Sequence, residues 1–405
     1  MLNPDRPDEA EIGRDLSNRL SVLRDGFARN PAPTAEERID LLDRLQRVVF
    51  NHRHCLISAI DQDFGGRAKA ETLVAEIFPV LEAIRYTRRR VRTWMKPSRR
   101  RLPLGLIGAR ADMHVQPLGV VGIVVPWNFP VFLALSPLIS ALAAGNRVMI
   151  KTSEFAPQTS EILQAMVEDV FSADQVSLVG GGPDLAAAFT RLPFDHLVFT
   201  GSTEVGRKVM RSAAETLTPV TLELGGKSPA IVHESFPIAE AARRIAFGKG
   251  LNAGQACVAP DYVLVPRASV DAFRDAFARA IAKHYPTMAA NGDYTAIISD
   301  RQRERLLAMV DDARDKGALV TVVNPVDEAF EAARKMPMHI VTGVQEDMHL
   351  MREEIFGPIL PVLTYDRVED AISYVNARQR PLALYYFDWD RARAEQVLGQ
   401  THSGG

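Results

Sequence analysis

Cysteine is nearly absent from this chain: Cys55 and Cys257 are the only two among 405 residues. Two thiols cannot build a disulfide framework or a cysteine-rich zinc cluster, so no metal site is expected. A reducing, cytoplasmic setting fits. An excess of one charge is missing too. The formal net charge is −2, so nucleic acid is not an implied partner. The local exceptions, Arg88-Arg89-Arg90-Val91-Arg92 and Arg99-Arg100-Arg101, read as a solvated helix end and loop. The opening MLNPDRPDEAEIGRD contains no apolar core of a signal peptide. Internal repeats and low-complexity segments are lacking. No Gly-x-Gly-x-x-Gly follows a strand pattern, which removes the ordinary Rossmann phosphate loop.

Hydrophobic residues are plentiful at 47%, enough for a large core, and the length favours two or three domains. One run, LGVVGIVVPWNFPVFLALSPLISALAAGN from Leu118 to Asn146, carries no charged side chain. A run of this length raises the question of a membrane span. Pro126 and Pro130 bracket Trp127-Asn128-Phe129, and such a break would leave backbone groups unpaired in lipid. The run therefore reads as a buried strand up to Val125, a loop, and a helix from Phe132 to Ala144 stopped by Gly145. Asn128 is the residue that packing alone does not explain. It stands just past a buried strand, where open α/β sheets bind ligands.

The first part of the chain reads as helical. Thr34-x-x-Glu37 is a capping box ahead of an amphipathic run to about Asp61, which contains Cys55 as a packed or idle residue. A second helix is expected from about Lys69 to Met95. Strands then alternate with helices: Gly119–Val125, Arg147–Lys151, Gln175–Val179, His196–Thr200 and Val220–Leu224, with helices such as Pro157–Val170 and Thr203–Glu215 between them. That alternation argues for a parallel sheet covered on both faces. A second alternating stretch starts near Pro229, with helices near 237–249, 269–283 and 299–316. The fold class is α/β in two domains.

Several short motifs sit at strand ends. In FTGSTEVGR, Gly201 turns the chain and Ser202 can cap a helix whose free N–H groups suit a pyrophosphate. In KTSE, Lys151 and Glu154 could grip ribose hydroxyls, although a surface ion pair is the plainer reading. LELGGKSP places Glu223 inside an apolar strand before Gly225-Gly226, and carboxylates are seldom buried without a partner or a task. GQACVAP places Cys257 in a small-residue loop. A cysteine with a carboxylate base suggests covalent catalysis, and the lack of a neighbouring histidine disfavours a papain-like arrangement. EEIFGPILP carries Glu354 and Phe356.

PWNFP, KTSE, FTGSTEVGR, LELGGKSP, GQACVAPDY and EEIFGP occur in this order, and together they closely resemble the aldehyde dehydrogenase superfamily. The resemblance runs from about residue 18 to the end. DFGGR, WMKP, APDYVLV and RPLALYYF look like the class-3-like branch, and most like its coniferyl aldehyde dehydrogenase subgroup. Thr152 stands where family members often have proline. The resemblance implies a Rossmann-like cofactor domain over residues 1–101 and 117–225. It further implies an oligomerisation hairpin over 102–116 and a catalytic domain over 226–405.

The same resemblance implies oxidation of a small-molecule aldehyde to the acid with NAD, NADP being admitted. Cys257 would attack as thiolate, against an ordinary thiol pKa of roughly 8.5. The Asn128 amide and the Cys257 backbone N–H would receive the oxyanion, a contribution of about 3 kcal/mol per donor. Glu223 would activate water for thioester hydrolysis. Lys151 and Glu154 would hold the adenosine ribose. Trp127, Gly201, Ser202 and Gly225 would line the cofactor path, and Glu354 with Phe356 would hold the nicotinamide ribose. Hydrophobic aldehydes, aromatic or aliphatic, are the expected substrates. Two alternatives stay open: transfer of the thioester to coenzyme A, and a non-catalytic member of the fold. In the family SGG is not a terminus, so either the natural polypeptide is expected to continue past Gly405 by several tens of residues, or the chain ending there is expected to be poorly stable and inactive. In that full-length form it is expected to be a homodimer.

Overall fold

The computed structural model describes residues 9–330 and 334–405. By contacts the chain divides into two units, Met1–Ile60 with Thr72–Glu223, and Asp61–Glu71 with Leu224–Gly405. Residues 61–71, expected with the first domain, go with the second because their backbone is tied there: the Ala296 N–H donates to the Gly66 carbonyl at 2.8 Å.

The first unit opens on helices α1 (Glu9–Arg29) and α2 (Ala35–Phe64). The capping box at the start of α2 is formed as expected. The Glu37 N–H donates to Thr34 Oγ1 at 3.2 Å, and the Thr34 N–H donates to Glu37 Oε2 at 2.6 Å. The next expected helix is not uniform. A turn Lys69–Thr72 passes through a π segment Leu73–Ile77 into α3 (Phe78–Trp94). Pro79, with no N–H to give, sits just past the point where the Phe78 N–H reaches back to the Leu73 carbonyl.

A two-stranded antiparallel ribbon follows, β1 (Ser98–Arg100) with β2 (Ala111–Met113), pairing Ser98 with Met113 and Arg100 with Ala111. It begins ahead of the expected hairpin boundary at Leu102. Arg99 and Arg100 are therefore strand residues rather than loop, with both side chains exposed, which suits charged residues on an open edge.

The sheet of this unit comprises β3 (Val120–Val124), β4 (Arg147–Lys151), β5 (Val176–Val179), β6 (His196–Gly201) and β7 (Val220–Leu224). Its order is β5-β4-β3-β6-β7, and the pairs β3–β4, β4–β5 and β3–β6 are parallel. The connecting helices are α4 (Pro130–Ala144), α5 (Pro157–Val170), α6 (Pro183–Thr190) and α7 (Thr203–Ala214). The uncharged run thus forms β3, a loop and α4. Every residue of β3 is buried, as are Val131, Leu135, Leu138, Ile139 and Leu142 of α4. Each such aliphatic side chain contributes about 2 kcal/mol by leaving water. Gly145 ends α4 at φ 90°, a conformation that favours glycine. Among the described residues no helix is long and apolar enough to cross a membrane.

The second unit holds β8 (Pro229–Val232), α8 (Ile238–Gly250), β9 (Tyr262–Pro266), α9 (Val270–His284), α10 (Asp300–Asp315), β10 (Leu319–Val323), β11 (Met338–Thr342), β12 (Ile359–Tyr365), α11 (Val368–Asn376), β13 (Tyr385–Phe387) and α12 (Arg391–Gln400). Its six strands run in the order β10-β11-β12-β9-β8-β13. The β10–β11 pair is antiparallel and the rest are parallel. The core packs Val263 and Val265 against Phe273, Phe277 and Ile281 of α9.

Candidate active site

In the first unit the strand order reverses direction beside β3. The chain steps from β3 through β4 to β5 on one side, then returns to β6 and β7 on the other. The loops at the carboxyl ends of the two strands flanking that reversal are where open α/β sheets take up ligands. After β3 comes Pro126-Trp127-Asn128-Phe129. After β6 come Gly201 and Ser202, and after β4 the chain passes Glu154.

Each of these positions has local support. Asn128 is 3% exposed, in a loop whose Phe129 carbonyl accepts from the Leu133 N–H of α4 at 3.0 Å. The start of that helix is anchored by Glu76, a fully buried carboxylate in the π segment. It accepts hydrogen bonds from the Val131 N–H at 2.7 Å and the Phe132 N–H at 3.2 Å. These are first-turn donors of α4, and a carboxylate also suits the positive end of a helix. Replacing Glu76 with alanine is expected to cost about 2 kcal/mol by orphaning those donors, whereas glutamine should recover part of the loss. A urea midpoint unchanged in Glu76→Ala would rule this anchor out.

Ser202 caps α7, accepting from the Val205 N–H at 3.4 Å. The first turn of that helix therefore keeps other N–H groups available for an anion. Lys151, at the end of β4, is buried with its ammonium 3.0 Å from Glu154, whose side chain is one-third exposed at 34%. The pair is thus not a surface ion pair of two solvated side chains. A buried cation holds a carboxylate that still faces water. Thr152 keeps the strand's path by donating its N–H to the Val179 carbonyl at 3.0 Å. These features suit a dinucleotide, with an anion-binding helix start after β6 and a carboxylate acceptor for ribose hydroxyls after β4, the two strands that flank β3.

Glu223 differs from expectation. The residues of β7 alternate between half-buried and exposed, and Thr221 and Glu223 fall on the exposed side. β7 is an edge strand of its sheet, so an apolar-looking sequence there does not bury its carboxylate. The inference from burial fails, and the role of Glu223 rests on its place in LELGGKSP.

In the second unit, α8 runs into a tight turn, Leu251–Gly254, then Gln255-Ala256-Cys257. Asn252 and Ala253 both take left-handed backbone, at φ 52° and 50°. Such residues cost about 1–2 kcal/mol each and persist where surrounding contacts hold them. Gln255, fully buried, supplies part of that hold. Its amide nitrogen donates to the Asn252 and Ala296 carbonyls at 3.0 and 2.9 Å, and its oxygen accepts from the Ile298 N–H at 3.0 Å. Cys257 is half-buried and not in a disulfide, whereas Cys55 is exposed rather than packed. Ser228 donates its hydroxyl to the Cys257 carbonyl at 3.4 Å, and Tyr385 donates to the Val258 carbonyl at 2.6 Å. Burial, then the neighbouring Cys257, pushes the Tyr385 hydroxyl pKa up, so it stays a protonated donor. Nothing in YYF distinguished Tyr385 in advance.

Glu354 lies close against Gly225, and a Cβ at Gly225 would collide with its carboxylate. The backbone of this segment is fixed by the Arg305 guanidinium, which donates to the Ile355 carbonyl at 2.6 Å. Asp261 assists by accepting from the Ile355 N–H at 2.8 Å. Lys227 pairs with that same Asp261. Burial, reinforced by Asp261, pushes the Glu354 carboxyl up to about 7. Phe356 follows at a strained φ of 52° and is half-buried. Among the described residues no cluster of His, Cys, Asp or Glu has metal-ligand geometry.

The fold and these groups suit a nicotinamide-dependent oxidoreductase, and comparison with known proteins states which one. The profile of the Aldehyde dehydrogenase family matches residues 21–405. The chain is 53% identical over 392 residues to a probable coniferyl aldehyde dehydrogenase of Pseudomonas aeruginosa, covering 96% of this chain and 82% of that protein. It superposes on a substrate-bound state of Staphylococcus aureus AldH with a TM-score of 0.90 at 32% identity, covering 96% and 83% of the two chains. An NAD+ complex of aldehyde dehydrogenase from Bacillus cereus gives a TM-score of 0.87 at 28% identity, covering 97% and 80%. The chain belongs to the aldehyde dehydrogenase family, and its activity is NAD(P)-dependent aldehyde oxidation.

Proposed function

We propose that the enzyme oxidises hydrophobic aldehydes, aromatic ones such as coniferyl aldehyde or medium-chain aliphatic ones, to carboxylic acids through a thioester on Cys257. The Cys257 turn carries this reading. It presents a partly buried cysteine on a backbone strained at Asn252 and Ala253 and held by buried hydrogen bonds. The likeness to a probable coniferyl aldehyde dehydrogenase supports the substrate class. A kinetic panel of aromatic and aliphatic aldehydes, with and without coenzyme A, tests it. Preference for short polar aldehydes would overturn the substrate class. A requirement for coenzyme A would replace hydrolysis by acyl transfer.

In this mechanism the Cys257 thiolate adds to the aldehyde carbon, forming a C–S bond and an oxyanion. By the family resemblance, the Asn128 amide and the Cys257 N–H would be the donors to that oxygen. Neutral donors stabilise the charge without protonating it. A nicotinamide held at Glu354 and Phe356 would supply the hydride acceptor. Glu223 then takes a proton from water as the water oxygen attacks the thioester. The C–S bond breaks and Cys257 leaves as thiolate.

Lys151 and Glu154 would hold the adenosine ribose, with Trp127, Gly201 and Ser202 along the pyrophosphate path, Glu354 and Phe356 at the nicotinamide ribose, and Gly225 also facing the cofactor. NAD should therefore be preferred. A 2′-phosphate beside the Glu154 carboxylate costs about 1 kcal/mol even at water's dielectric constant, so kcat/KM should favour NAD by at least about fivefold. A preference for NADP would refute this use of Glu154.

Glu354 sets a pH dependence. Its carboxyl, pushed up to about 7, accepts ribose hydroxyls well only when ionised. As pH falls through that value the KM for cofactor should rise about tenfold, the difference between a charged and a neutral hydrogen bond. Glu354→Gln should flatten that limb. An acid limb that survives in Glu354→Gln would assign it elsewhere.

The same reading makes the functional form a cytoplasmic homodimer. The β1–β2 ribbon carries exposed Leu104, Leu106 and Ile107 at its tip, which supports a role in subunit contact.

A further inference from the structure

We propose that Glu71 is a positioning residue for Cys257, setting the strained turn that delivers the nucleophile; this rests on the reading of Cys257 as the attacking thiol. Glu71 lies far upstream in sequence, just ahead of the π segment. Its carboxylate reaches the start of the Cys257 turn. Oε1 accepts from the Asn252 N–H at 3.0 Å, and Oε2 accepts from the Thr295 hydroxyl at 2.5 Å. Asn252 is the first of the two left-handed residues, and Thr295 is fully buried.

Four further bonds complete a closed circuit. Thr295 adjoins Ala296, whose carbonyl accepts from the Gln255 amide, and the Gln255 oxygen accepts from the Ile298 N–H. The Gln255 amide also donates to the Asn252 carbonyl, and the Asn252 side chain donates to the Gln255 carbonyl at 3.0 Å. The segment 295–298 and the turn 252–255 are thus stitched together at both ends. Gln255 joins them on the side near Cys257, and Glu71 joins them at the far end. Without Glu71 the left-handed pair loses a contact that holds it, and Cys257, two residues past Gln255, inherits the slack. The whole carboxylate is needed, because its two oxygens face two donors. An amide can keep its oxygen on the Asn252 N–H only by turning its NH2 to the Thr295 hydroxyl, which would then have to accept instead of donate.

The test uses the full chain with Cys55→Ser, so that Cys257 is the only thiol. Glu71→Gln, Thr295→Val and Thr295→Ser are compared with that parent for kcat, for both KM values, and for the rate at which iodoacetamide alkylates Cys257, followed by intact mass. A nucleophile displaced by about 1 Å can lose about a hundredfold in rate. Glu71→Gln and Thr295→Val should lower kcat by about tenfold to a hundredfold and change the alkylation rate, with the cofactor KM held. Thr295→Ser, which keeps the hydroxyl, should restore parental values. Parental kcat and alkylation in Glu71→Gln and Thr295→Val would overturn the proposal. So would a raised aldehyde KM at constant kcat, which would mean a binding role, or failure of both variants to fold, which would mean a purely structural one. The nucleophile reading stands or falls separately: turnover that survives complete alkylation of Cys257 would remove it, whatever Glu71 does.

Discussion

Cys257→Ser is expected to abolish dehydrogenase turnover, by at least about a thousandfold, while cofactor binding stays close to that of the unaltered enzyme. A serine hydroxyl has nearly the shape of the thiol, so the turn held by Gln255, Ser228 and Tyr385 should survive. What is lost is the thiolate. A thiol is partly ionised near neutral pH, whereas an alcohol is not. Lys151, Glu154 and Ser202 are untouched, so titration with NAD, followed by fluorescence or calorimetry, should give an unchanged dissociation constant. Cys55→Ser, altering an exposed helical residue, should leave kcat as it was. Turnover within tenfold of the unaltered enzyme in Cys257→Ser would end the assignment.

What could be read in advance follows the range of the interaction. The capping box at Thr34 and Glu37 spans three residues and formed as expected. The ion pair of Lys151 with Glu154 is equally local, and the strands β4 and β7 fall where their apolar runs placed them. The charge-free run from Leu118 resolved into strand, loop and helix because proline and glycine punctuate it. Glu223 was misread because burial of a strand depends on its place in the sheet, and an edge strand can be apolar in sequence yet open on one face. The groups that hold the functional loops were invisible for a different reason. Glu76 acts on a backbone N–H 55 residues away, Tyr385 on a carbonyl 127 away, and Glu71 on a turn 181 away. Their side chains carry no local pattern, and backbone acceptors and donors look the same at every residue. The π segment had one cue, Pro79, but a proline near a helix start is also ordinary.

Glu223→Gln should separate the two halves of the reaction. Glutamine keeps the size of the side chain and loses the base. Addition of the Cys257 thiolate and departure of the hydride do not use that carboxylate, so NADH should appear in a burst approaching one equivalent per active site. In the proposed mechanism hydrolysis does use it. Positioned general-base catalysis contributes about a hundredfold to ten-thousandfold, so the steady state after the burst should fall by about that amount. The exposure of Glu223 on the open face of β7 gives the prediction its edge, because the carboxylate is in reach of water but is not held by burial. Glu223→Asp, shorter by one methylene, should keep the charge yet slow deacylation less than glutamine does. Rapid mixing of enzyme, NAD and a hydrophobic aldehyde, followed at the NADH absorbance, reads both phases in one trace. Mass spectrometry of a quenched sample should show the acyl group on Cys257. A steady state equal to that of the unaltered enzyme would assign Glu223 to the strand alone. A variant with neither burst nor turnover would place Glu223 before the hydride leaves, in the activation of the thiol itself.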